Sequence, residues 1–450
     1  MSLRLLKYTW GLLLVLSLLA CGIKVKLPTE TTEFDPVFGA GDTSYIRISP
    51  DWDAANGYSF ASPWDIIVGA DGYIFVADHA QASIHVISAS GEEVIDDDFG
   101  NHFGAIANLV DETGTGFSPQ AIDQDSRLNL FIADSSNRLM VWNQYLNNVG
   151  VESIADRVKL ESPQGNSLWV TNFDSIMALQ SLQWSIDSIS WSTDNLDYWL
   201  APRAFWNAGD SLEAIQVQRY FIDPENVHIT GVSSFGDQCF VADANSNAII
   251  ELQYFPVALL MTGEGEEILI YGGTITGRAV SPGTGNGTVN DPRGMTHGKD
   301  GALFYTQWGE NFSVHKVGGS SGFEYGEDDI MEIERYDKAS DVSLDVLGNI
   351  YIADTGHDRI QQFNSSGRFT FNIGMNRVLV DSSYIDSFLV GSEYEYFTVD
   401  TTYQVEVADI LDAPRSVAVD GNGVVYIADT RHQRVMRYRL STELDYTTDN

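Results

Sequence analysis

Cysteine is nearly absent: the 450-residue chain has two, Cys21 and Cys239. A disulfide framework is therefore excluded, and a chain of this length and 44% hydrophobic content must stand on a buried core. Basic residues are scarce too, 25 Lys and Arg against 63 Asp and Glu, for a formal net charge of −38. Phosphate backbones need a basic footprint, so nucleic acid is excluded as a partner. The same acidic surplus keeps a surface soluble, resists self-association and attracts cations, which predicts a monomer. Long apolar runs are missing as well. Tyr8 to Ala20 offers 13 residues, short of the roughly 20 a spanning helix needs. No Gly-rich phosphate loop opens a helix, and no Gly-x-Ser-x-Gly elbow is present.

The first residues carry Arg4 and Lys7, then the apolar run Trp10 to Leu19, then Ala20 and Cys21. That is the layout of a secretory signal peptide. Leu18-Leu19-Ala20-Cys21 further resembles the lipobox of bacterial lipoproteins. The resemblance implies cleavage after residue 20, a diacylglycerol on the Cys21 thiol and an acylated new amino terminus. An ordinary signal peptide that ends by chance at a cysteine is the alternative. Gly22 in the next position resembles lipoproteins sent on to an outer membrane. The expectation is a signal peptide over 1–20, a tether over 21–42, and a chain in the bacterial envelope, periplasmic or surface-exposed, that touches membrane only through its lipid.

A phrase recurs six times, each time with an apolar strand that ends in a polar residue fifteen positions after the start. The copies run from Pro63 to Asp78, Pro119 to Asp134, His228 to Asp243, Pro292 to Gln307, Ala339 to Asp354 and Pro414 to Asp429. Each holds a first strand, a turn such as Asp-Gly or Gly-Asn, and a second strand alternating with period two. Twelve residues after each start stands an aromatic: Phe75, Phe131, Phe240, Phe304, Tyr351 and Tyr426. Fourteen after, the residue is small: Ala77, Ala133, Ala242, Thr306, Ala353 and Ala428. Such regularity is a packing requirement, met when blades stack radially around a channel.

Two copies continue as Asp354-Thr355-Gly356-His357-Asp358-Arg359 and Asp429-Thr430-Arg431-His432-Gln433-Arg434. These resemble the NHL repeat, which implies that Asp354 pairs with Arg359, and Asp429 with Arg434, across the turn. The match weakens at Asp134 with Asn137 and Arg138. Ser83, Ala248 and Ser313 replace the Arg, and Gln307 replaces the Asp. The expected fold is all-β, a six-bladed β-propeller of NHL-type repeats over 43–442 with an insertion between blades two and three. The last repeat has room for three strands, so Thr43 to Ser49 is expected to supply its outer strand and close the ring. Successive terminal residues are 56, 109, 64, 47 and 75 apart, against about 40 to 50 for one blade. The excess marks an insertion over 150–225, carrying Trp184, Trp191, Trp199 and Trp206, and a smaller one over 374–412.

Propellers bind ligands at the channel mouth. In NHL propellers the first strand of the phrase is innermost, which places Trp64, Asp65, Gln120, Arg293, Asp341 and Arg415 at that mouth as candidate ligand-binding residues. Arg offers a planar fork suited to carboxylate or phosphate; pairing of both arginines with Asp65, Asp341 or backbone carbonyls is the competing reading. Some NHL-type propellers resemble peptidylglycine amidating lyases, which hold zinc through channel histidines. Here His79, His357 and His432 fall in turns and His297 has no counterpart on another first strand, while zinc needs three protein ligands. Gluconolactonase-like hydrolases hold a divalent cation with Glu, Asn and Asp; Asp65, Asp123 and Asp341 fit that set in part. Cys239 takes a position that is Ile, Leu or Val in the other copies, so it is core rather than nucleophile. The leading expectation is a non-enzymatic binding or scaffolding module for a protein, peptide or glycan, with no catalytic residue named. The alternative is a hydrolase or lyase that uses Ca or another divalent cation in the channel; no metal ligand and no certain cofactor is assigned.

Overall fold

The strand–turn–strand unit follows from local chemistry. The Asp345 carboxylate accepts the amides of Leu347 and Asn349 at 2.9 and 2.8 Å, a turn that an Asx side chain closes on its own backbone. Gly348 completes it at φ 83°, where a Cβ would be strained. Asp420 holds Asn422 and Val424 in the same way at 2.8 and 2.9 Å. The β-branched and aromatic residues that follow favour an extended, pleated backbone.

The computed structural model describes residues 44–95, 117–135, 138–143, 154–161, 167–170, 185–186, 189–190, 217–221, 227–262, 267–309, 311–319, 329–390, 393–407 and 410–441, with 103, 106, 107, 109 and 323. Six antiparallel sheets each start on one copy of the phrase. The first holds Pro63–Val68, Ile74–Asp78 and Ser83–Ile87; the second holds Pro119–Gln124, Asn129–Asp134, Arg138–Asn143 and, outermost, Val217–Phe221. In the third, Ile229–Phe235 and Gln238–Asp243 lead to the long strands Ala248–Thr262 and Glu267–Val280. Pro292–His297, Leu303–Gln307 and Val314–Val317 form the fourth. The fifth holds Ala339–Leu344, Ile350–Asp354, Arg359–Phe363 and Phe369–Ile373. Pro414–Val419, Val425–Asp429 and Arg434–Leu440 make the sixth, with Tyr45–Trp52 as its outer strand. Each first strand lies beside the next, and Pro414–Val419 returns to Pro63–Val68, so the inner strands close on themselves. The chain is an all-β propeller.

The blade count departs from expectation: the propeller has five blades rather than six. Of the six sheets, the first and fourth have three strands among the described residues, so copies of the phrase and complete four-stranded blades are not the same count.

The aromatic of each copy packs toward the following sheet. Phe75 lies with Ile122 and Leu130, Phe131 with Ile229 and Val232, Tyr351 with Val417 and Ile427, and Tyr426 with Ile66 and Val76. The residue before it faces the preceding sheet: Ile74 lies with Tyr426, Cys239 with Phe131, and Val425 with Tyr351. Period two thus places adjacent residues on opposite blade faces, and Cys239, fully buried, is packing.

The terminal residues of the phrase are buried and tie strand to loop. Asp78, Asp354 and Asp429 accept the amides of Ala61, Asp337 and Asp412, each seventeen positions earlier. Gln307 accepts that of Asn290 at 2.9 Å, which is why an amide can replace the carboxylate there. Arg359 Nε reaches Asp354 Oδ2 at 2.9 Å, and Arg434 Nε reaches Asp429 Oδ2 at 2.7 Å. Asn137 and the side chain of Arg138 lie outside the described residues.

Tyr45–Trp52 pairs with the last strand, Tyr45 opposite Leu440 and Ile48 opposite Arg437. It begins two residues later than expected and runs on to Trp52. Arg434 Nη1 also contacts Asp51 Oδ2 at 3.0 Å, joining the two ends of the ring.

The signal peptide and tether expected over 1–42 lie outside the described residues. So does most of 150–225; within it Ile154–Glu161 pairs with Ser167–Val170 and with Ala248–Thr262, and Ser185–Ile186 pairs with Ile189–Ser190. Over 374–412, Asn376–Val390 and Glu393–Val407 form a two-stranded sheet. Its body, Arg377–Val405, is a separate unit, with Tyr384, Ile385, Tyr394, Tyr396 and Phe397 exposed. No helix among the described residues is long and apolar enough to cross a membrane.

Candidate functional site: the mouth of the channel

Every inner strand breaks register at its second residue. Pro63 pairs with Asp78 but the next pair is Asp65 with Ala77, and the same skip falls at Gln120, Ser340 and Arg415. In the third and fourth sheets it falls at Thr230 and at Arg293 with Gly294. A bulge re-aims the unpaired side chain, and all six bulge residues, Trp64, Gln120, Thr230, Arg293, Ser340 and Arg415, line one cavity of about 530 Å³. Asp65 and Asp341 line it too, so the six residues expected at the mouth share this space. Periodicity alone did not reveal the bulge.

Behind the bulge, carboxylates staple neighbouring inner strands. Asp65 Oδ2 accepts the Ile122 amide at 2.6 Å, Asp123 accepts the amide and hydroxyl of Ser234, and Asp341 Oδ2 accepts the Val417 amide at 3.0 Å. Ser416 Oγ lies 2.7 Å from Asp65 Oδ1 and 2.6 Å from Asp341 Oδ2. A hydroxyl has one proton to donate, so one of the two carboxyls must carry its own. Burial, then the charge of Asp65, pushes Asp341 up to about 8, which makes it the protonated partner at neutral pH. Burial also raises Asp65 and lifts Asp123 to about 7. Gly294 permits the close approach: a Cβ there would meet Asp341 Oδ1 at 2.3 Å and its Cα at 2.6 Å.

The arginines are braced by indoles. The Arg415 guanidinium stacks on Trp64 at 3.8 Å, and that of Arg293 on Trp308 at 3.9 Å. His79 stacks parallel on Trp64, also at 3.8 Å. Two groups that close to one ring centroid must take opposite faces, so both faces of the Trp64 indole are covered. Arg293 Nη2 pairs with Asp291 at 2.7 Å, while its buried Nε has no partner. Arg415 makes no hydrogen bond or ion pair among the described residues. Burial, then repulsion by Arg293, brings Arg415 down to about 10. The competing pairing of both arginines with Asp65, Asp341 or backbone carbonyls does not form among the described residues, where Arg293 pairs with Asp291.

Sequence reasoning missed Trp308, one residue beyond the phrase, and the bridging role of Ser416. His79 stacks on Trp64 and His228 lines the cavity, while His297, His357 and His432 are engaged elsewhere. His357 and His432 contact Asp354 and Asp429 at 2.9 Å. His297 is held down at about 4 by burial and contacts Ser233 at 2.9 Å. Among the described residues no group of three His, Cys, Asp or Glu has metal-site geometry.

No family model and no curated protein matches this chain. Solved structures are similar at the level of architecture. Virginiamycin B lyase from Staphylococcus aureus aligns at 10% identity and TM-score 0.39 over 88% of this chain and 99% of the lyase. A protein of unknown function from Bacteroides thetaiotaomicron gives 12% and 0.42 over 89% of this chain and 76% of its own. The PQQ-bound aldose sugar dehydrogenase of Streptomyces coelicolor gives 12% and 0.38 over 89% and 99%. Likenesses this distant carry nothing about the chemistry of this chain.

Proposed function

We propose that this chain is a non-enzymatic binding or scaffolding propeller, an NHL-type ring held on the bacterial envelope, at an outer membrane, through lipid on Cys21. Its ligand, carried by a protein, peptide or glycan, enters at the channel mouth. The six inner strands in a closed ring and the Asp–Arg turn pairs support the NHL-type reading. One observation carries the functional reading: Asp65, Asp123 and Asp341 are each committed to an amide of the next inner strand, while Arg415 at the mouth, stacked on Trp64, makes no hydrogen bond or ion pair among the described residues. The carboxylates serve the ring, and the free polar group faces the cavity.

The test is elemental analysis of the dialysed whole protein, paired with calorimetric unfolding with and without chelator. No stoichiometric metal and an unchanged midpoint are expected. One divalent ion per chain whose removal lowers the midpoint would overturn the reading in favour of a cation-dependent hydrolase or lyase.

A further inference from the structure

An arginine in a low-dielectric channel keeps its proton at neutral pH, so its charge calls for a counter-ion. Arg415 is half-buried and makes no ion pair among the described residues. Its bulge turns it into the cavity, and Arg293 opens on the same cavity. The two guanidiniums repel each other at one mouth, and of the two only Arg293 has an ion-pair partner among the described residues, Asp291. The nearby carboxylates are already acceptors: Asp65 takes the amides of Ile66 and Ile122 and lies against Ser416 Oγ.

We infer that the channel mouth binds a carboxylate-bearing ligand, with Arg415 as its counter-ion and Arg293 as a second donor. The inference rests on the binding reading above and names the chemistry of that ligand. Stacking on Trp64 and Trp308 holds each guanidinium flat, which leaves the N–H edge of Arg415 for the in-plane, two-pronged contact that a carboxylate accepts; Arg293 gives part of its edge to Asp291. Both faces of Trp64 are covered, so that indole is no platform for a neutral sugar ring. The charge balance favours one negative charge over two. Asp291 already offsets Arg293, and Asp65 lies close enough to attract Arg415; a phosphate dianion would add repulsion from Asp65.

The experiment is calorimetric titration of the whole protein with butyrate, its neutral analogue butyramide, and inorganic phosphate. Butyrate binds, butyramide does not, and phosphate binds more weakly than butyrate. Arg415→Gln weakens butyrate roughly tenfold or more, as loss of a charge-assisted pair requires, and Arg415→Lys, which keeps the charge without the fork, falls between. Equal binding of butyrate and butyramide, tighter binding of phosphate, or an unchanged affinity in Arg415→Gln overturns the inference. If Arg415→Gln fails to fold, the three ligands on the unsubstituted protein still decide. Failure here removes the carboxylate and leaves the wider binding reading, which falls instead to a stoichiometric divalent metal.

Discussion

Asp65 and Asp341, 276 positions apart in the chain, share one hydroxyl: Ser416 Oγ lies 2.7 Å from the first and 2.6 Å from the second. The bridge links the first, fifth and sixth inner strands, so ring closure depends on a proton. Asp341, at about 8, holds that proton in the folded ring where the unfolded chain, near 4, has lost it. A proton held more tightly by the folded state stabilises it fully below about pH 4. That stability declines as pH rises and is gone above about 8. Asp123, at about 7, adds in the same direction. The unfolding midpoint therefore falls from about pH 5 to about pH 9, and Asp341→Asn flattens the fall. A variant with the slope of the unsubstituted protein would refute the shared proton.

The aromatic of each phrase fills the space between sheets, so its loss leaves a cavity that the rigid ring closes poorly. Tyr351→Ala costs about 3 to 5 kcal/mol. Ala353→Leu, on the same face, costs about 1 to 3 kcal/mol through overpacking. Urea unfolding of both variants measures this, and a loss below about 1 kcal/mol in Tyr351→Ala would mean that the aromatic does not bear on the sheet contact.

If Cys21 carries lipid, whole protein made in a bacterial host incorporates labelled palmitate and partitions with membranes, while Cys21→Ser does neither. An unlabelled, freely soluble Cys21 protein would remove the anchor from the account.

Much of the fold was legible because blade packing repeats in sequence. Phe75, Phe131, Phe240, Phe304, Tyr351 and Tyr426 recur at one offset because each meets the same neighbouring surface. Arg359 and Arg434 were readable for the same reason: their partners lie five residues away. The site was legible only in part. The inner-strand order put Trp64 and Arg415 at the mouth, yet their stacking joins the two ends of the chain. The bridge made by Ser416 was not legible, because its partners come from two other copies. Trp308 lies outside the repeating phrase, so no offset marked it. The bulge left no trace in the hydrophobic pattern, since it shifts pairing without changing which residues are apolar. Completeness of the blades was illegible too, because outer strands such as Val217–Phe221 come from far along the chain.

A crystal structure of the whole protein grown with both butyrate and Mn²⁺ tests the account most directly. The account predicts a carboxylate in the plane of the Arg415 guanidinium, and no anomalous Mn²⁺ peak among Asp65, Asp123 and Asp341. An Mn²⁺ ion coordinated by those carboxylates, with the guanidinium of Arg415 left bare, would contradict it.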